Sequence, residues 1–248
     1  MPIEFAGQSV IQSFIKRAIR HFGFDLRRYN ATNVQPAQLK LMLDSHKVNL
    51  IFDVGANSGQ FGRLLRTSGY RGRIVSFEPL HAARQQLLMV SHGDTSWEIG
   101  PRAALGSEHG EVTMHVAANA ASSSILRMLP THSTAAPESR YVGKEVVAIR
   151  RLDSLAADLI RPESIPFLKI DTQGYEDRVL EGAGAILDQI VGLQLEMSLV
   201  PLYEDQKLFN EMHGVVQAMG FSLWAIWPSF VEPVSGRLLQ VDATYFRA

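Results

Sequence analysis

The feature that most constrains this chain is a glycine-containing turn between two apolar segments. An apolar run at residues 48–51 leads into the sequence FDVGANSGQF at residues 52–61, and a helix-like stretch follows it. The next apolar run ends in Glu78, 25 residues after Asp53. A strand, a glycine turn, a helix, a second strand and an acidic residue in this order are typical of a nucleotide-binding βαβ unit.

The spacing within this turn indicates which ligand it suits. Asp53, Gly55 and Gly59 are spaced Asp-x-Gly-x-x-x-Gly, whereas dinucleotide sites use Gly-x-Gly-x-x-Gly. An aspartate suits a ligand with an ammonium and a sulfonium better than it suits phosphates. Glycines let the backbone approach that ligand closely, and Glu78 is placed to accept hydrogen bonds from ribose hydroxyls. The turn therefore predicts an S-adenosylmethionine site.

Two alternatives to this interpretation remain open at this point. The first is a tight strand-to-helix turn that binds no ligand. The second is a short-chain dehydrogenase, whose glycine pattern also has a three-residue gap. Asp53 at the head of the turn and the position of the third glycine, Gly62, count against the dehydrogenase.

Composition excludes several classes of protein. The chain has 248 residues, of which 46% are hydrophobic, which is enough for one large globular α/β domain. Its formal net charge is −1, so no overall field attracts nucleic acid. It contains no cysteine, which excludes disulfides, cysteine-ligated zinc, iron–sulfur chemistry and a thiolate nucleophile. Neither an apolar run of ~18 residues nor a signal peptide is recognised, so we expect a cytoplasmic location.

The first 46 residues differ from the rest and predict an N-terminal helical extension. Apolar residues recur there at helical spacing, with basic residues between them: Val10, Ile11, Phe14, Ile15, Ala18, Ile19 and Phe22, with Lys16, Arg17, Arg20 and His21. We expect this apolar stripe to pack on the domain. The alternative is a basic amphipathic helix at residues 10–28 that contacts a membrane surface or a lipid-linked substrate. A second helix is predicted at residues 36–46.

Residues 47–248 show the alternation of an α/β domain. Strands are predicted at 49–54, 72–77, 96–104, 111–117, 145–150, 166–170, 190–197, 220–227 and 238–246, and helices at 59–67, 80–91, 174–183 and 204–219. This order predicts a mostly parallel sheet covered by helices on both faces, with the last strand as an antiparallel edge strand. Residues 118–144 are irregular, and a loop of this length is usually functional or disordered.

A second polar group follows the strand predicted at residues 166–170. Ligands of open α/β sheets bind outside the carboxyl ends of the strands, so Asp171 should lie beside the glycine turn. Glu176 begins the next helix and Glu196 ends the next strand, and these three acids are the candidate general bases. Lys169 would act as a base only if desolvation lowered its pKa; otherwise it holds the acceptor oxygen or orders Asp171. The alternative is a purely structural role for both residues, in which Asp171 caps the following helix and Lys169 pairs with an acid.

These segments together resemble the FkbM family of S-adenosylmethionine-dependent methyltransferases. The resemblance runs from about residue 49 to 247 and rests on eight pieces: FDVGANSGQF, FEP, AALG, RLDSL, LKIDTQGYE, VLEGA, QLEMS and MGF. It implies a Rossmann-like methyltransferase fold. It also implies O-methylation of a hydroxyl on a sugar, a glycolipid or another secondary metabolite. The alternatives are an N- or C-methyltransferase, or a donor-binding protein that has lost catalysis.

The turn and the resemblance together indicate the residues that bind the donor: Asp53, Gly55, Ala56, Asn57, Gly59, Phe61, Glu78, Ala104 and Asp171. No metal is expected, because no clustered Asp and Asn ligands follow Asp171. Residues 122–124, three serines, are candidates for contact with the donor or the acceptor, and His115 and His213 are reserve candidates for the base. The expected partner is a small hydroxyl acceptor, glycosylated or lipid-linked, and a homo-oligomer remains open.

Overall fold

The computed structural model describes residues 5–247, with side chains described from residue 13 onward. Two N-terminal helices come first, α1 (Phe5–His21) and α2 (Gln35–Ser45), close to the positions that the sequence predicts. Among the described helices, none combines the length and the apolar character that crossing a bilayer requires.

The rest of the chain alternates strands and helices. Its elements are β1 (Leu50–Val54), α3 (Gln60–Thr67), β2 (Arg73–Phe77), α4 (His81–Ser91), β3 (Trp97–Ile99), β4 (Ala104–Leu105), β5 (Gly110–Ala117), α5 (Pro130–Ala135), β6 (Tyr141–Arg150), α6 (Leu152–Ala156), β7 (Pro166–Ile170), α7 (Glu176–Gly182), β8 (Gly192–Ser198), α8 (Phe209–Ala218), β9 (Phe221–Val231) and β10 (Leu238–Arg247). Two 3₁₀ turns, Pro137–Ser139 and Gly184–Gln189, complete the set. The sequence-based prediction did not include α5 and α6, which are only six and five residues long.

Seven strands form the main sheet in the order β3-β2-β1-β7-β8-β10-β9. The pairs from β3 to β8 are parallel, whereas β10 is antiparallel to both β8 and β9. This is the predicted Rossmann-like methyltransferase fold. The antiparallel strand is confirmed, but its predicted edge position is wrong, because β10 lies between β8 and β9.

A second sheet has the order β4-β6-β5 and lies beside the first. The single strand predicted at 96–104 is divided, with β3 in the main sheet and β4 in this one. Pro101 separates the two pieces, and proline has no backbone N–H to donate to a strand ladder.

Apolar layers cover both faces of the main sheet. Every residue of β1 and β7 is buried, as expected for parallel strands under helices on both sides. One layer joins the sheet to α6, α7 and α8, and the other joins it to α2, α3 and α4. Leu39 and Leu43 of α2 belong to the second layer, so part of the N-terminal extension packs as predicted.

The prediction that the apolar stripe of α1 packs on the domain is wrong for the side chains that the structure describes. Phe14 is 74% exposed and Phe22 is 77% exposed. The side chains of Val10 and Ile11 lie outside the described residues. The layer on this face of the sheet is built by α2, α3 and α4, and no described residue of α1 belongs to it.

Candidate active site

A cavity of about 340 Å³ opens at the carboxyl ends of β1, β2 and β7. The order of strands reverses between β1 and β7, because the chain fills one side of the sheet first and the other side later. Open α/β sheets bind their ligands at such a switch point. The seven predicted donor-site residues that line this cavity are Gly55, Ala56, Asn57, Phe61, Glu78, Ala104 and Asp171.

The glycine turn after β1 is held close to both neighbouring strands. The backbone N–H groups of Gly55 and Ala56 both donate to the carbonyl oxygen of Phe77, at 3.1 and 3.0 Å. Gly55 has a φ of +73°, and a Cβ at this position would lie 1.9 Å from the carbonyl oxygen of Asp171. Only glycine fits there. Gly59 precedes α3 and does not line the cavity, so its predicted contact with the donor is not supported.

Glu78 directly follows β2, and its carboxylate lies at the cavity wall. Its Oε2 accepts a hydrogen bond from the Asn57 N–H at 2.8 Å, and its Oε1 accepts one from the Leu80 N–H at 2.8 Å. Burial raises the pKa of Glu78 to about 7, although these two N–H donors oppose the shift. The carboxylate is therefore held in place and still presents acceptor lone pairs to a ligand.

Asp53 lies behind the cavity wall, which corrects its predicted direct contact with the donor. Its side chain is fully buried and is absent from the cavity lining. Its Oδ2 accepts a hydrogen bond from the Ser76 hydroxyl at 2.9 Å, and that hydroxyl accepts one from the Trp97 indole at 3.0 Å. Its Oδ1 lies 3.4 Å from Nζ of Lys169. Asp53 therefore orders Lys169.

Lys169 lines the cavity as a fixed positive charge. Its Nζ lies 3.4 Å from Oδ2 of Asp171 and donates to the carbonyl oxygen of Gly55 at 3.3 Å. Burial alone would lower the pKa of Lys169, but the charges of Asp171, Asp53 and Asp242 outweigh burial and raise it above its ordinary value. Lys169 therefore stays protonated, which removes it as a candidate base.

Asp171 and Glu196 face each other across one shared amide. Nε2 of Gln173 donates to Oδ1 of Asp171 at 2.8 Å and also donates to Oε2 of Glu196. Nε2 of Gln240 donates to the same Glu196 oxygen at 3.0 Å, and the Ser229 hydroxyl donates to the other. Burial and the charge of Asp171 raise the pKa of Glu196 well above its usual range. Asp171 keeps 34% of its side chain exposed.

Glu176 is not brought to the cavity. It is buried, and its Oε1 accepts hydrogen bonds from the N–H groups of Thr172 and Gly174, at 2.9 and 3.1 Å. The carboxylate therefore closes the turn between β7 and α7, which removes Glu176 from the candidate bases. The reserve candidates also lie elsewhere, since His115 stacks on Tyr141 and His213 contacts the hydroxyl of Tyr245.

Among the cavity residues that the sequence-based prediction missed are two polar ones on β8 and β10. Asp242 of β10 pairs in register with Glu196, lines the cavity and accepts a hydrogen bond from Gln35 at 2.8 Å. Gln194 of β8 is 5% exposed, and its Oε1 has no hydrogen-bond partner among the described residues. A lone acid in the apolar last strand was the available signal for Asp242. No sequence signal marked Gln194, apart from its position two residues before Glu196.

The irregular segment supplies another part of the wall. Ala120, Ala121, Ser123 and Ile125 line the cavity, which agrees with a functional role for this loop. Ser123 accepts a hydrogen bond from the backbone of Ala117 at 2.9 Å. Within the described residues, no group of three or more His, Asp or Glu side chains could hold a metal ion, and metal independence stays a prediction.

Residues 53–223 match the family model described as the methyltransferase FkbM domain. This match covers more than half of the chain. The chain belongs to the FkbM methyltransferase family. It is therefore a methyltransferase, and its methyl donor is S-adenosylmethionine. A comparison with curated proteins gives no match to this methyltransferase.

Solved structures similar to this methyltransferase include three from bacteria. The O-methyltransferase TomG of Streptomyces achromogenes, in complex with S-adenosylmethionine, has a TM-score of 0.48 and 12% identity, over 95% of this chain and 88% of TomG. A methyltransferase of Mesorhizobium loti has a TM-score of 0.45 and 10% identity, over 84% of this chain and 96% of that one. A putative methyltransferase of Listeria monocytogenes has a TM-score of 0.47 and 7% identity, over 85% of this chain and 96% of that one. The chain spans about half, 47%, of the length of EvdMO1.

Proposed function

We propose that this methyltransferase transfers a methyl group from S-adenosylmethionine to a hydroxyl group of a sugar, a glycolipid or another secondary metabolite. The observation that carries the proposal is the placement of two carboxylates in one cavity. Glu78 follows β2 and Asp171 follows β7, so they lie on either side of the glycine turn after β1. One carboxylate is suited to a ribose and the other to an acceptor hydroxyl.

The chemistry of the cavity wall fits the donor. Apolar side chains around Glu78, among them Phe77, Leu105 and Met114, would hold the adenine ring, and Glu78 would accept hydrogen bonds from the ribose hydroxyls. The glycine turn would hold the amino-acid portion beside Asp171. The bound donor supplies an electrophilic methyl group on its sulfonium. Residues of the chain bind and orient the two substrates and remove the proton from the acceptor.

We assign the role of general base to Asp171. Its carboxylate is anchored by Gln173 on one side and by Lys169 on the other, and it remains partly exposed to the cavity. An acceptor hydroxyl becomes nucleophilic as Asp171 removes its proton. Gln194, Glu196 and Asp242 line the same part of the cavity and would orient the acceptor through further hydrogen bonds.

The proposed chemistry is tested with isotope-labelled donor and a panel of acceptors. Glycosides, glycolipids and polyols should become labelled on oxygen, as identified by mass spectrometry and by the stability of the product ether to base. Labelling only of amines or of carbon acids would support the alternative transferases. Tight donor binding without transfer to any acceptor would support a protein that has lost catalysis.

Replacement of Glu78 by alanine should weaken donor binding by ~1–3 kcal/mol, because charge-assisted hydrogen bonds to the ribose are lost. Isothermal titration calorimetry with S-adenosylhomocysteine measures this directly. Glu111→Ala, at an exposed position of β5, is the matched control and should leave the affinity unchanged. Binding of NADH in place of the sulfonium donor would contradict the proposed site.

Donor affinity should also depend on pH through Glu78. In the ligand-free protein burial raises the pKa of this group to about 7, and hydrogen bonds from the ribose favour its ionised form. Affinity should therefore strengthen as the pH rises from about 5 to 7, by at most tenfold per pH unit, and then level off. Glu78→Gln should flatten this dependence. An equal slope in wild type and variant would show that another group is responsible.

We also propose that the methyltransferase domain comprises residues 47–248, preceded by the extension of residues 1–46. The matched segment, 53–223, lies inside this domain. The cytoplasmic location expected from the sequence, the absence of a nucleic-acid partner and the possibility of a homo-oligomer stay predictions.

A further inference from the structure

Large apolar side chains are exposed along α1 and the segment that follows it. Phe14, Phe22 and Phe24 are 74%, 77% and 71% exposed, and Leu26 and Tyr29 are 49% and 61% exposed. Several such residues close together on one element mark an interaction surface rather than scattered exposed residues. We call residues 13–29 the N-terminal surface element.

The helical part of this element has two opposite faces. At ~100° per residue, its apolar residues fall within one arc of about 140° and its basic residues within the opposite arc. The apolar residues are Phe14, Ile15, Ala18, Ile19 and Phe22, and the basic ones are Lys16, Arg17, Arg20 and His21. A helix of this kind suits a boundary between an apolar and a charged phase.

The charge of the region is opposite to that of the rest of the protein. Residues 5–34 contain five Lys or Arg residues and a single acid, Asp25, which gives a formal charge of +4. The whole chain carries −1, so the remainder carries −5. Asp25 pairs with Arg20 at 3.0 Å and with Arg27 at 2.7 Å, which leaves Lys16, Arg17 and Arg28 to attract an external anion. The partner must therefore be both anionic and apolar.

We propose that the N-terminal surface element docks on a membrane surface rich in anionic lipid. A bilayer surface satisfies both faces, because phenylalanines enter the acyl boundary while basic side chains reach the lipid phosphates. A nucleic acid would contact the basic face and leave the opposite apolar face in water. With 17 residues and alternating basic groups, α1 lies on the bilayer rather than across it.

Docking would bring the cavity close to the lipid surface. The chain that leaves the element enters α2 at Gln35, whose side chain donates a hydrogen bond to Asp242 of the cavity wall. An acceptor linked to a lipid would then reach the cavity from the surface that holds the enzyme. This consequence rests on the proposed function, whereas the docking itself does not.

The test is co-flotation of the full chain with lipid vesicles. Wild type should float with vesicles of phosphatidylcholine and phosphatidylglycerol at low salt, float much less at high salt, and remain unbound with phosphatidylcholine alone. Absence of flotation with the anionic vesicles would overturn the proposal. So would salt-sensitive binding of RNA or DNA at similar strength, because that would identify a nucleic acid as the partner.

Paired variants separate the apolar contribution from simple charge attraction. F14S together with F22S should reduce partitioning on the order of tenfold or more, because two aromatic side chains that would enter the bilayer are lost. L88S together with M89S, at exposed apolar positions of α4, is the matched control and should behave as wild type. Unchanged flotation of the phenylalanine variant would contradict docking through the apolar face. Circular dichroism and donor affinity should match wild type in both variants.

Discussion

Replacement of Asp171 by asparagine should lower kcat by about a hundredfold or more, because general-base assistance is typically worth 10²–10⁴ in rate. Asparagine keeps the shape of the side chain and can still accept the hydrogen bond from Gln173, but it cannot take a proton. Donor affinity should stay within a few-fold of wild type. Single-turnover transfer of labelled methyl, with donor affinity measured separately by calorimetry, checks both parts of the prediction.

Two further variants make this result interpretable. Asp158→Asn, at an exposed position beyond α6, makes the same chemical change away from the cavity and should leave turnover unchanged. Glu176→Gln should affect thermal stability more than turnover, because Glu176 closes a turn. A parallel loss of kcat and donor affinity in Asp171→Asn would show that this residue holds the donor and that the base lies elsewhere.

Replacement of Gly55 by alanine should remove donor binding and lower the melting temperature. The new Cβ would lie 1.9 Å from the carbonyl oxygen of Asp171, and the φ of +73° is unfavourable for any residue with a Cβ. The turn after β1 must therefore move away from the turn after β7, which deforms the cavity between them. Calorimetric titration with S-adenosylhomocysteine and thermal denaturation measure the two effects.

Gly214→Ala is the matched control for this substitution. Gly214 lies within α8, and a Cβ there would meet no atom within 4 Å. Alanine in a helix is favoured over glycine by about 0.5–1 kcal/mol, so this variant should be slightly more stable and bind the donor normally. A stable Gly55→Ala protein with wild-type affinity would place the donor site elsewhere.

The fold was predictable because its signals are local. Each buried parallel strand is a short apolar run, and each glycine turn follows directly from the strand that it ends. The positions of Glu78 and Asp171 at the cavity were predictable for the same reason, since both come directly after such a run. The neighbours of β10 depend instead on pairing between strands that are distant in the sequence. No local sequence pattern encodes that pairing.

The roles of individual acids were harder to infer, because the sequence does not show which way a side chain turns. Glu176 and Asp171 are five residues apart and looked equivalent, yet one carboxylate accepts hydrogen bonds from backbone N–H groups and the other faces the cavity. Asp53 has the expected position but is shielded by Lys169 and Ser76. The exposure of α1 could not be inferred either, since the same amphipathic pattern suits packing on a domain and docking on an external surface.

The insertion of β10 between β8 and β9 also sets the order in which a nascent chain can complete this enzyme. Within the described residues, β9 pairs with no strand other than β10, although β9 is synthesised first. The free edge of β8 and the whole of β9 must therefore remain unpaired until residues 238–247 leave the ribosome. The same ten residues deliver Asp242 to the cavity, so a ribosome-bound intermediate can have a complete glycine turn but an unfinished cavity wall. Chaperone demand and aggregation during synthesis should therefore be concentrated in the interval between the emergence of β9 and that of β10, when one long strand and one sheet edge are both unpaired.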